Sequence, residues 1–127
     1  MNELTPLWYP PRNAFWFDLF GDQIVNIGET TLISYQLPVG DVGVVRWFAQ
    51  DITTPSEWDS ITWKILVNSN PDKMYGNIIG KISNLDIPTD VMVKIYRGGL
   101  LKLVVSSTKN NIRVIGRLKG WHWNDGR

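Results

Sequence analysis

From Gln23 onward, apolar and polar residues alternate with a period of two, and this period constrains the fold more than any other feature of the chain. Ile33, Tyr35 and Leu37 alternate with Ser34 and Gln36, and Val45, Trp47 and Ala49 with Arg46. Ile61, Trp63, Ile65 and Val67 alternate with Thr62 and Lys64. Val91, Val93 and Ile95 alternate with Lys94, and Leu101, Leu103 and Val105 with Lys102. Successive side chains of a strand point to opposite faces, so these segments are half-buried antiparallel strands. Their β-branched and aromatic residues suit that role, and Trp47 and Trp63 fall on the expected core faces.

The punctuation between strands agrees. Pro38-Val39-Gly40-Asp41 reads as a turn, Arg97-Gly98-Gly99-Leu100 as a two-residue hairpin loop, and Lys109-Asn110-Asn111 as a second tight turn. Thr54-Pro55-Ser56-Glu57 has the form of a capping box with Pro at the first helical position, so one short helical turn presents Trp58. About eight strands at the spacing of an all-β domain predict an antiparallel β-sandwich. A jelly roll is the first expectation, because two closed Greek keys limit exposed edges; an immunoglobulin-like sandwich is the alternative. The 127 residues suffice for one such domain, residues 23–127.

Residues 1–22 differ. Leu7-Trp8-Tyr9-Pro10-Pro11 and Phe15-Trp16-Phe17 gather large aromatics around a proline pair that forbids a continuous helix. Alternation is poor there, so the segment reads as an extended arm. Trp8, Tyr9, Phe15, Trp16 and Phe17, with Phe20 close behind, have the composition of interface anchors.

Catalysis finds little support in the residues. The single histidine, His122, lies between Trp121 and Trp123 near the end of the chain and reads as a packed or edge residue. Asp51, Glu57 and Asp59 share one loop and read as capping and solvated groups, not as paired catalytic carboxylates. No enzyme activity and no cofactor are expected. The absence of cysteine excludes a disulfide framework, an iron–sulfur cluster and a thiolate zinc site, and no calcium-loop motif occurs. Apolar runs all fall well short of the ~18 residues of a membrane span, so no membrane partner is expected. The first residues lack the basic and apolar regions of a signal peptide, so synthesis in a cytoplasm is expected.

Charge is unevenly placed. Residues 1–90 hold 5 Lys and Arg against 11 Asp and Glu, whereas residues 91–127 hold 8 against 1. That polarity points to partners or to stacking of an acidic surface on a basic one. Lys94, Lys102, Arg113, Arg117 and Lys119 would form a basic face if the last three strands were neighbours, with Tyr96 and Trp121 on its aromatic side. A net charge of only +1 argues against nucleic acid as the partner. Seven tryptophans admit a glycan-binding reading in which Trp58, Trp121 or Trp123 stacks a sugar ring.

Two stretches carry a family resemblance. Ser60-Ile61-Thr62-Trp63-Lys64-Ile65-Leu66-Val67-Asn68 runs into a Pro71…Tyr75 turn and is preceded by Trp47-Phe48-Ala49-Gln50. Arg113-Val114-Ile115-Gly116-Arg117-Leu118-Lys119-Gly120-Trp121-His122-Trp123 ends the domain. Together they resemble small β-sandwich virion proteins of tailed bacteriophages, of the head decoration or cement type. The resemblance implies a subunit on the capsid exterior, a trimer of copies of itself that ties major capsid proteins together. Arm anchors would be Trp8, Tyr9, Phe15, Trp16 and Phe17, with Arg113, Arg117 and Lys119 as electrostatic contacts. The alternative is a glycan- or receptor-binding module of a head fibre or tail, using Trp58 or Trp121.

Overall fold

Nested pairing organises the chain. In the computed structural model, which describes residues 10–53, 55–72, 75–80 and 85–126, nine strands form among the described residues. They are β1 (Phe15–Val25), β2 (Gly28–Gln36), β3 (Asp41–Ile52), β4 (Ile61–Val67), β5 (Asn70–Pro71), β6 (Ile78–Ile79), β7 (Thr89–Ile95), β8 (Leu100–Ser107) and β9 (Ile112–Asn124). A 3₁₀ helix, Pro55–Ser60, lies between β3 and β4. All ladders are antiparallel: β1 pairs β9, β2 pairs β8, β3 pairs β7, and β4 pairs the short β5 and β6. These are the rungs of one long hairpin. Rolling it up adds β9 against β3 and β8 against β4. The result is two sheets, β1-β9-β3-β7 and β2-β8-β4-β5 with β6 on β4. This is the jelly roll expected from the sequence. No helix among the described residues is long and apolar enough to cross a membrane.

The core lies between the sheets and is filled from the inward rows. Phe48, Trp63, Ile65, Val93, Leu103 and Leu118 are fully enclosed there. Phe48 and Trp63 meet edge to face, 5.7 Å between ring centroids, a geometry worth about 0.5–1.5 kcal/mol beyond area burial. Close approach of the strands needs Gly120, since a Cβ there would stand 2.0 Å from the Val44 carbonyl oxygen.

Three expectations change. First, residues 15–22 are not an arm: they begin β1, which runs in unbroken register with β9 from Phe15↔His122 to Val25↔Ile112. Trp8 and Tyr9 lie outside the described residues. Second, Trp47 is not core. A β-bulge between Val45 and Trp47 adds one residue to β3, so Val45 faces inward while Trp47 and Ala49 turn outward and Phe48 takes the core position. Third, the chain turns at Gly98–Gly99 and bends at Asn110–Asn111, but the first is not the hairpin loop read from the sequence, because neither connection joins paired strands. Gly98 and Asn111 take positive φ, and each turn carries the chain from one sheet to the other. The turn at Pro38–Asp41 forms with Gly40 at φ 89° and the Asp41 N–H donating to the Pro38 carbonyl.

Candidate functional site

On β1, the residues that alternate outward are Trp16, Asp18, Phe20, Asp22 and Ile24, since Phe17, Gly21 and Val25 are buried beneath. Beside them β9 turns Arg113, Ile115, Arg117, Lys119 and Trp121 outward, and β3 adds Trp47 and Ala49. The outer face of the first sheet therefore brings together Trp16, Arg113, Arg117, Lys119 and Trp121 of the residues singled out from the sequence.

At one end of this face three indoles meet. Trp121 is edge-on to Trp16 at 5.1 Å and to Trp47 at 6.1 Å, and Trp16 lies near-parallel to Trp47 at 5.9 Å. Trp121 is only 1% exposed under this cover, so it offers no platform to a sugar. Trp16 is 54% exposed, and Phe20 and Ile24 continue the apolar row at 60% and 61%. Cations flank Trp47: Arg46 stands 5.6 Å and Lys119 6.0 Å from its ring centroid. Beside Trp47 a groove of about 220 Å³ opens, floored by Ala49 and walled by Leu85, Pro88, Asp86, Arg117 and Lys119.

Arg113 and Arg117 are each engaged in an ion pair within the chain. Arg117 donates from Nε and Nη2 to the two oxygens of Asp18 at 2.7 and 2.5 Å, and Arg113 does the same to Asp22 at 2.8 and 2.5 Å. These bidentate bonds come first among the causes that hold both carboxyls below their ordinary value. Glu57 pairs with Lys109, Glu29 with Lys64, Asp90 with Arg46 and Asp125 with Arg97. Three pairs, Asp18–Arg117, Asp22–Arg113 and Glu57–Lys109, join the acidic part of the chain to the basic part, two of them because the roll-up brings the first strand onto the last. Nor do the last three strands make one basic face: β8, with Lys102, is in the second sheet, and β3 separates β7 from β9. Lys119 forms no ion pair among the described residues and keeps its charge on the face.

The remaining candidates lie elsewhere. Phe17 is a core residue, tilted on Tyr35 at 5.4 Å. Phe15 is exposed and stacks over the His122 ring at 5.7 Å. Trp58 projects from the 3₁₀ helix, 46% exposed, and is not part of the Trp16–Trp47–Trp121 cluster. His122 is buried in a polar bridge that the sequence did not reveal. Its Nδ1 is 2.6 Å from Asp41 Oδ2 and its Nε2 is 3.1 Å from the Tyr35 hydroxyl, which comes from the opposite sheet. A carboxylate only accepts, so Nδ1 carries a proton; in the neutral imidazole Nε2 then accepts from the tyrosine. Burial, and then the Asp41 charge, push the Tyr35 hydroxyl above its ordinary value. Among the described residues no group of three or more His, Asp or Glu could hold a metal ion.

No known protein family matches this chain, and no curated protein matches it.

Proposed function

We propose that this chain is a structural virion subunit of the head decoration type, which docks on the major capsid protein through the outer face of its first sheet. The observation that carries this reading is the row Trp16, Phe20 and Ile24, large apolar side chains more than half exposed on one strand beside the Trp47–Trp121 cluster. Exposed apolar surface of this kind marks association, and aromatic anchors dominate interface energies. The jelly roll is an architecture common among viral capsid domains, which supports the resemblance seen in Ser60–Asn68 and Arg113–Trp123. Lys119 supplies the steering charge, while Arg113 and Arg117 hold β1 in place. Quantitative mass spectrometry of particles purified from the source tests the reading. Copy numbers comparable to those of the major capsid protein are expected. A few copies per particle, or none, would overturn it.

A second reading, glycan binding, draws on the groove beside Trp47, where an indole, Lys119 and Asp86 surround a space of about 220 Å³. It transfers the sugar platform from Trp121 to Trp47. A glycan array on which wild type binds and Trp47→Ala does not would favour it; a flat profile removes it.

A further inference from the structure

Four sheet edges close this sandwich, and three are blunted. β7 is seven residues long, follows Pro88 and presents Lys94. β2 is broken by a bulge between Thr31 and Ile33. β5 and β6 have two residues each, and β5 ends in Pro71. Short length, proline, lysine and bulges are the usual devices that keep edges from pairing with other chains. β1 has none of them. Its 11 residues pair with β9 without a register shift, contain no proline and no lysine, and carry no second ladder on the outer side among the described residues. Its two charges, Asp18 and Asp22, are drawn toward β9 by Arg117 and Arg113, so they do not guard the edge as free charges would.

The outward row of β1 also reads the same in both directions. Trp16, Asp18, Phe20, Asp22 and Ile24 run apolar, acidic, apolar, acidic, apolar. We infer that β1 is a self-association edge that pairs antiparallel with β1 of a second copy about a two-fold axis at Phe20. That register sets Phe20 against its own copy and Trp16 against Ile24 of the partner, while Asp18 meets Asp22 with each carboxylate already neutralised by its arginine. An interface in which one patch faces itself needs such self-complementarity. The two first sheets join into one, and their outer faces become a single bivalent surface. This pairing does not depend on the docking reading, because it needs no shell, and it departs from the trimer that the family resemblance implies.

The chain has no cysteine, so single-cysteine variants report the register cleanly. Directly opposed residues of an antiparallel pair have Cβ atoms about 4.5–5.5 Å apart, close enough for a disulfide after small adjustment. The purified full-length protein is expected to be a dimer by light scattering. Phe20→Cys is expected to oxidise to a covalent dimer, while Val39→Cys, at an exposed turn, stays uncrosslinked. Phe20→Lys, which sets two ammonium groups together at the axis, is expected to run as a monomer with an unchanged β-sheet spectrum. A monomeric or trimeric wild type, a Phe20→Cys variant that does not crosslink, or a dimer that survives Phe20→Lys would overturn the inference.

Discussion

Gln50 lies on the inward row of β3, fully enclosed, and neither end of its amide has a hydrogen-bond partner among the described residues. An unpaired buried amide costs about 1–3 kcal/mol of desolvation, and methionine fills a similar volume without it. Gln50→Met should therefore raise unfolding stability by about 1–2 kcal/mol, read as a higher urea midpoint at unchanged slope. A lower midpoint would mean that the amide is satisfied. The opposite sign is expected at His122. Removing the imidazole leaves both the buried Asp41 carboxyl and the Tyr35 hydroxyl without their partner, so His122→Ala should destabilise by more than Tyr35→Phe, which loses one hydrogen bond worth about 1 kcal/mol. Equal losses in the two variants would contradict the bridge. Nothing in the local sequence announces this bridge. Asp41 and Tyr35 lie 81 and 87 residues from His122, and only the roll-up brings them together.

Individual strands were legible wherever alternation was clean: β4, β7 and β8 fall where the period of two puts them. The period failed where the backbone departs from it. One bulge in β3 moved Trp47 from the core to the outer face, and with it the centre of the candidate site. In β1 the expected alternation is hidden because both rows carry aromatics: Phe17 packs inward while Trp16 and Phe20 face out. The pairing of β1 with β9 also accounts for part of the charge polarity, since it joins Asp18 to Arg117 and Asp22 to Arg113. It has a consequence for pH. Asp18 and Asp22 have folded values below their ordinary 3.8, so the stability they contribute is fully present above that value and is lost as pH falls through the lower folded value. Asp18→Asn with Asp22→Asn should be less stable than wild type at neutral pH, and the gap between their unfolding midpoints should close in strong acid. A gap that persists there would show that the ion pairs do not hold the strand. Gly120→Ala, which drives a methyl into the Val44 carbonyl, should cost at least about 1–3 kcal/mol through strain in the same pair of strands.

For the whole molecule, nested antiparallel pairing leaves, among the described residues, one face rich in exposed aromatics and one edge without the usual protection. Architecture was open to sequence reasoning because jelly-roll strands are short, alternating and separated by turn residues. Which face carries the site was not, since that depends on bulge position and on which arginines are already engaged. Docking through the outer face of the first sheet, as proposed, is tested most directly by binding to isolated shells. Trp16→Ala and Trp47→Ala should each remove most binding to purified capsids in a sedimentation assay while keeping a cooperative thermal transition. Trp58→Ala, on the 3₁₀ helix and outside the Trp16–Trp47–Trp121 cluster, should bind as wild type does. Binding that survives both face substitutions, or that is lost with Trp58→Ala instead, would contradict it.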